Sequence, residues 1–352
     1  MLTDAFWQAF GSVPMQQALD RALSALPEPP NRIAVALSAG ADSAMLAVHA
    51  ALHARRRGIE VHCFHVHHGL QEPADRWQDH AHDLAHMLGL ACHSRRVRVD
   101  LAGGDGIESA ARDARYRAFN ELAAQAGVQH ILLAQHRNDQ AETVLLRLLR
   151  GAGPTGLAAM APITQRGGLT YLRPWLEIDR KNILEQAQAF SAICGWEPVL
   201  DPTNADDKYT RAAVRERLAP ELDQRWPGWQ GALARHAKQG AELKEILDEV
   251  ASQDLAGLDP SADGRDFSLA AWRNLSLARQ ALVLRYWLAQ LGQRMPTDAR
   301  LQDLMRQLRG LHALGYDRQL QVKHGRVLIR CIKGRVSLAE QGFDPNGDGE
   351  TR

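Results

Sequence analysis

The chain has 352 residues, 45% of them hydrophobic, and a formal net charge of +1 at pH 7. That length suffices for two domains around a sizeable core, and the near-neutral balance excludes a globally basic nucleic-acid binder while allowing local basic faces. Four scattered cysteines with no Cys-x-x-Cys exclude a zinc, iron–sulfur or disulfide framework, and the lack of a leader pattern or an apolar run of membrane length points to a soluble, cytoplasmic protein.

The first informative stretch is Arg32 to Leu46. The apolar run Ile33–Leu37 reads as a buried strand, and a helical pattern over Ser43–Arg57 follows the small-residue loop Ser38-Ala39-Gly40-Ala41-Asp42-Ser43. Strand, tight loop and helix start in that order make an anion site, because free N–H groups and the helix dipole point into one hollow. A carboxylate beside phosphates is repulsive unless a cation lies between them, so Asp42 suggests Mg²⁺ bridging to a nucleotide. Taken alone, the loop reads equally well as a turn capped by Ser38 and Asp42.

A second strand, Val61–Val66, ends in His65-Val-His-His-Gly-Leu70. Only His65 and His67 share a strand face, and no carboxylate stands at ligand spacing, so these histidines read as pocket-loop residues rather than metal ligands. A helix over Ala74–Leu88 and a strand over Arg96–Val99 follow. The helix Ile107–Ala126 carries Glu108, Arg112 and Arg115 on one face, either a surface salt-bridge row or a polar ridge for a base and phosphates. After a strand at His130–Ala134, the segment His136-Arg-Asn-Asp139-Gln-Ala-Glu142-Thr opens a helix over Gln140–Leu149. Its acidic residues read as caps or, for Asp139, as a second carboxylate on Mg²⁺. Strands separated by helices predict a parallel sheet with helices on both faces and ligands at the strand carboxyl ends.

Gly151-Ala-Gly-Pro-Thr-Gly156 breaks this alternation, and an irregular stretch runs to Pro174. A helix is expected near Asp179–Phe190, a loop over 197–207, and helices again from about Arg211, with a domain boundary around Pro220–Gly228. The second domain is expected to hold helices over about Gly231–Leu255, Leu275–Leu291 and Asp298–Leu308, then a hairpin over Leu320–Ile332 turning at His324-Gly325. The end of the chain reads as disordered. These boundaries give a catalytic domain over 1–224, a mainly helical domain over 225–335 and a tail over 336–352. Basic residues cluster at Arg95–Arg117, at Lys208–Arg217 and at Arg318–Arg335, offset by an acidic Glu242–Asp266, which favours a polyanionic partner.

The Ser38–Ser43 loop resembles the Ser-Gly-Gly-x-Asp-Ser loop of the ATP pyrophosphatases, the PP-loop proteins that split ATP into AMP and pyrophosphate. Further segments, in order, are similar to the tRNA(Ile)-lysidine synthetases: His65–Leu70, Gly106-Ile-Glu…Ala-Arg-Asp-Ala-Arg-Tyr116, His136-x-x-Asp-Gln-Ala-Glu-Thr143, Arg150–Leu157, Arg173-Pro174, Asp201-Pro-Thr-Asn204, and Tyr209-x-Arg211 with Arg215. Weaker similarity reaches about Leu311. The sequence departs from the family pattern at Ala39, where a glycine is usual, at Asn138, where the first of two aspartates is usual, and at Ala212, where an Arg-Asn pair is usual.

The resemblance implies a doubly wound, mostly parallel α/β domain followed by a smaller, mainly helical tRNA-binding domain, with the extra C-terminal domain of longer members expected to be reduced or absent. It implies ATP-dependent ligation of free L-lysine to C2 of the wobble cytidine of a tRNA(Ile) with a CAU anticodon, through an adenylated intermediate, with Mg²⁺. It places ATP on Ser38, Ala39, Gly40, Ala41, Asp42 and Ser43, the metal on Asp42 and Asp139, and tRNA on Glu108, Arg112, Arg115, Arg211 and Arg215. Glu142 and His136 are alternative bases for the lysine amine, and a homodimer is left open. The rivals are another ATP pyrophosphatase, such as a tRNA thiolase or an amidotransferase, and a non-catalytic nucleotide- or tRNA-binding protein. Missing cysteine pairs weigh against the thiolase, and retained Asp42, Ser43, Asp139 and Glu142 against the non-catalytic reading.

Overall fold

A computed structural model describes residues 2–69, 73–98, 107–201, 206–311 and 319–340. The chain divides into two compact units, 1–241 and 242–352.

The first unit opens with α1 (Asp4–Ala9) and α2 (Val13–Ser24), then β1 (Arg32–Ala36), α3 (Ala41–Arg57), β2 (Glu60–His67), α4 (Ala74–Leu88), β3 (Ala91–Arg96), α5 (Ile107–Ala126), β4 (His130–Leu132) and α6 (Arg137–Leu149). It continues through α7 (Pro154–Leu157), β5 (Ile163–Arg166), β6 (Leu169–Leu172), α8 (Arg180–Cys194), α9 (Thr210–Ala213), a π-helical turn over Val214–Leu218, and α10 (Ala219–Arg225). The long helix α11 (Trp229–Ala256) runs from the first unit into the second.

The six strands pair in the order β3-β2-β1-β4-β6-β5, all parallel except the β5–β6 hairpin. Strand alternation sends Ile33, Val35 and Leu37 into one core with α1–α4 and α8, and Ala34 into a second core with Phe119, Leu122 and Tyr171. Both faces are therefore covered, as a parallel sheet requires. From β1 the chain order runs outward to β2 and β3 on one side and to β4 on the other. That reversal puts the ligand crevice beyond the carboxyl ends of β1 and β4.

Two expectations are corrected, and two helices are added. The third strand is Ala91–Arg96, not Arg96–Val99, because it is the polar, half-exposed edge of the sheet and carries no apolar run. The stretch before Pro174 is not irregular. It holds the β5–β6 hairpin, turned by Gly167-Gly168 with both φ positive (59° and 79°), the geometry of a type I′ turn. Helices α1 and α2 were not anticipated, yet Phe6, Trp7, Met15 and Leu19 are buried in the first core.

The second unit contains β7 (Asp266–Ser268), α12 (Leu269–Arg273), α13 (Leu277–Gln290), α14 (Asp298–Gly310), β8 (Leu320–His324), β9 (Val327–Ile332) and β10 (Arg335–Glu340). Trp272 and Trp287 anchor its core, and the strands form an antiparallel sheet in the order β7-β10-β9-β8. The anticipated β8–β9 hairpin is present, with Val327 paired to His324. It extends to a third strand, because Lys333-Gly334 takes positive φ at both residues (48° and 75°) and turns β9 into β10. The segment read as tail from Val336 thus begins as strand, and 341–352 lies outside the described residues.

Candidate active site at the strand carboxyl ends

The loop after β1 is closed by its own side chains. Ser43 Oγ accepts the Ser38 N–H at 3.1 Å and donates to the Gly40 carbonyl at 3.1 Å, and Ser38 Oγ lies 3.0 Å away. The Val199 N–H donates to the Ala39 carbonyl at 2.9 Å. Gly40 is extended at φ −73° and caps α3, and a Cβ built on it meets Ser38 Oγ at 3.6 Å, an ordinary contact. Ala39, fully buried, takes the left-handed conformation at φ +65°. An L-residue there costs about 1–2 kcal/mol, and a glycine would not pay it. Ala39→Gly is therefore expected near neutral in urea unfolding, since relieved strain is offset by lost burial and added chain entropy. Ala39→Val, β-branched at positive φ, should cost about 2 kcal/mol or more. A valine variant as stable as the parent would refute the left-handed assignment.

Asp42 stands in the first turn of α3, where the helix dipole favours a carboxylate. Its Oδ1 lies 3.7 Å from His136 Nε2 and 3.7 Å from Arg180 Nε. Both distances exceed a hydrogen bond, and Oδ1 is buried without a hydrogen-bond partner. Burial alone would raise this carboxyl; His136, Arg180 and Arg215 outweigh it and hold the group below its ordinary value.

His136 caps α6. Its Nδ1 accepts the Asp139 N–H at 3.4 Å, and Asp139 Oδ2 accepts the His136 N–H at 3.2 Å. An accepting Nδ1 leaves the ring proton on Nε2, which faces Asp42 and, at 3.4 Å, Asp139 Oδ2. The two carboxylates proposed from sequence thus flank one imidazole nitrogen.

A second ion cluster lies alongside. Arg215, on the π-helical turn, donates to Glu142 from Nε at 2.6 Å and Nη2 at 2.9 Å, and from Nη2 to Asp139 Oδ1 at 2.9 Å. Burial works against the Arg215 cation, but Glu142, Asp139 and Asp42 outweigh it and raise its pKa. Arg211 Nη2 donates to Thr143 Oγ1 at 2.9 Å, with Nε 3.5 Å from Glu142. Arg211 and Arg215, read from sequence as tRNA contacts, are turned onto the pocket's carboxylates.

On α5, Arg112 lies exposed, donating to the Tyr116 hydroxyl at 3.2 Å with its guanidinium 5.1 Å from that ring. Arg115 is half-buried and has no ion pair among the described residues. Burial lowers its pKa, and the nearby Arg112 and Arg211 cations lower it further. The Glu108 side chain lies outside the described ones. His65 Nδ1 meets the Leu37 carbonyl at 2.9 Å, while His67 Nε2 meets Asp75 Oδ1 at 3.0 Å.

The model described as "PP-loop domain" matches residues 12–222, and the "TilS substrate binding domain" model matches 267–337. A tRNA(Ile)-lysidine synthase of Bordetella pertussis is 58% identical over 315 residues, covering 90% of this chain and 98% of that one. The chain belongs to the tRNA(Ile)-lysidine synthase family. The B. bronchiseptica member is 57% identical over 92% of this chain and 93% of its own length. The Ralstonia nicotianae member is 44% identical over 80% of this chain but only 60% of its own length. A solved U34-tRNA thiolase from Methanococcus maripaludis shares the fold, with TM-score 0.51 over 64% of this chain and 77% of that one at 15% identity. PP-loop membership carries ATP use, and membership of the lysidine synthase family makes the chain a ligase acting on tRNA. Among the described residues no helix is long and apolar enough to cross a membrane.

Two departures from the family pattern have visible consequences. Asn138 Oδ1 accepts the Arg180 N–H at 3.2 Å, tying the start of α6 to the start of α8, a bond an aspartate would make equally well. Ala212 is buried in α9, leaving Arg211 and Arg215 on either side to reach the pocket. Sequence reasoning missed Arg180, and with it Arg137, which pairs with Asp179. The available signal was Asp179, an N-cap whose Oδ1 accepts the Lys181 N–H at 2.9 Å, followed at once by a cation at the positive end of a helix.

Proposed function

We propose that this chain joins lysine to C2 of the wobble cytidine of a tRNA(Ile) with a CAU anticodon, in two steps at the crevice between β1 and β4. The cytosine O2 attacks the α-phosphate of ATP and pyrophosphate leaves. Free L-lysine, through a neutral amine, then displaces AMP from C2. Adenylation matters because it converts a poor leaving oxygen into a good one, and extruding a base from an anticodon loop costs less than from a duplex. The observation that carries this reading is the meeting of Asp42, His136 and Asp139 beyond the sheet's switch point, in a chain whose relatives over nearly its whole length are lysidine synthases.

Mg²⁺ fits this donor set. Asp42 Oδ1 is a buried carboxylate oxygen with no partner, and Asp139 Oδ2 lies across the same imidazole nitrogen. Among the described residues no group of three or more His, Cys, Asp or Glu side chains suits a metal, so the ion would complete its shell with phosphate and water, as Mg²⁺ does. Bound there, it would neutralise charge on the departing pyrophosphate. The loop N–H groups at the start of α3 do the same work from the protein side.

Neither base read from sequence is a free acceptor. Glu142 is gripped at both oxygens by Arg215, and His136 spends Nδ1 on its helix cap. The geometry favours positioning roles for both: Glu142 holds Arg215, and His136 stands with Nε2 between the two carboxylates. Arg112 and Arg115 supply a cationic face for tRNA phosphate. The thiolase reading loses further ground, because burial pushes the Cys63 thiol up and the Cys92 thiol to about 12.

The test is incubation with tRNA(Ile) bearing CAU, labelled lysine and ATP. Label in the tRNA that requires both ATP and the CAU anticodon is expected. ATP cleavage without transfer of lysine would overturn the proposal.

A further inference from the structure

Arg180 has no explanation in the stability of its own helix. It occupies the first position of α8, where the dipole presents a positive end, so a cation there is disfavoured. Its Nε is buried and finds no hydrogen-bond acceptor. The nearest carboxylate oxygen is Asp42 Oδ1, itself buried and unpartnered, 3.7 Å away. Each is an orphan, and the two face each other across a gap too wide for a hydrogen bond.

The position is nonetheless tightly fixed. The Arg180 N–H is held by Asn138 Oδ1, and the preceding Asp179 is held by Arg137 from the start of α6. The arrangement brings the starts of α3, α6 and α8 together, through Asp42, His136 with Asp139, and Arg180. A carboxylate calls for a cation and a guanidinium for an anion, and a metal–phosphate unit supplies both.

We propose that Arg180 binds the β- and γ-phosphates of ATP and the pyrophosphate they become, a role that rests on the ligase reading above. In the first step the cytosine O2–phosphorus bond forms and the bond from the α-phosphorus to the oxygen bridging to the β-phosphate breaks. The electron pair leaves with pyrophosphate, and Arg180 donates to that growing charge. Its planar fork suits two phosphate oxygens at once, which a lysine cannot match.

The experiment compares the full-length protein with Arg180→Ala and Arg180→Lys. Calorimetric titration with pyrophosphate in the presence of Mg²⁺ is run beside titration with AMP, and ATP–pyrophosphate exchange in the presence of tRNA(Ile) is measured on the same proteins. Arg180→Ala is expected to weaken pyrophosphate binding about 10- to 100-fold, the loss of a charge-assisted hydrogen bond, with AMP affinity within about 2-fold of the parent. Arg180→Lys should recover part of that loss. Unchanged pyrophosphate affinity in Arg180→Ala overturns the assignment. So does a parallel loss of AMP and pyrophosphate binding, which makes the residue a structural support of Asp42. If the parent protein itself binds no pyrophosphate, the ligase reading fails together with this one.

Discussion

Asp42→Asn is expected to lower tRNA(Ile)-dependent ATP–pyrophosphate exchange by at least about 10²-fold while leaving the fold intact. The substitution preserves the size of the side chain and removes only its charge. In the parent, that charge is held ionised against burial by His136, Arg180 and Arg215. The carboxylate oxygen facing them makes no hydrogen bond, so little local structure depends on it. Because the folded state holds this carboxyl below its ordinary pKa, its charge contributes some stability at neutral pH, so its loss should appear mainly in catalysis, with the melting temperature falling by no more than about 4 °C. Asp139→Asn makes the instructive comparison. Asp139 accepts from the His136 N–H and from Arg215, so its amide variant should lose both exchange and stability. Exchange at the parental rate in Asp42→Asn would remove Asp42 from the metal–nucleotide site.

The contrast between these two carboxylates also shows what the sequence makes legible. The order of strand, small loop and helix reveals the β1–α3 anion site, because apolar runs and small residues leave a direct trace. Asp42 and Asp139 are legible as a pair for the same reason: each follows a buried strand at the start of a helix. The partners of those residues are not. Nothing local connects Arg215 to Glu142, which lies 73 positions earlier, or Arg180 to Asp42, since both contacts depend on how the helices α6 and α8 pack on the sheet. Two strands hide for a different reason. β3 is polar and half-exposed, and β10 is announced only by a Lys-Gly turn, so neither produces an apolar run. Ala39 is the reverse case: the missing glycine is plain in the sequence, and the backbone retains its left-handed turn all the same.

Arg215→Ala should be the most destabilising change at the site. It leaves Glu142 and Asp139, with side chains 6% and 13% exposed, facing one another without their shared cation. Breaking a buried pair by removing one partner costs about 3–5 kcal/mol. Arg211, 3.5 Å from Glu142, takes up part of the load, so a loss near the lower end, about 3 kcal/mol, is expected in chemical denaturation. Adding Glu142→Gln removes the charge that Arg215 neutralised and should restore part of the stability. A double variant no better than the single would mean that Arg215 stabilises the site by packing its stem and not by neutralising the two carboxylates.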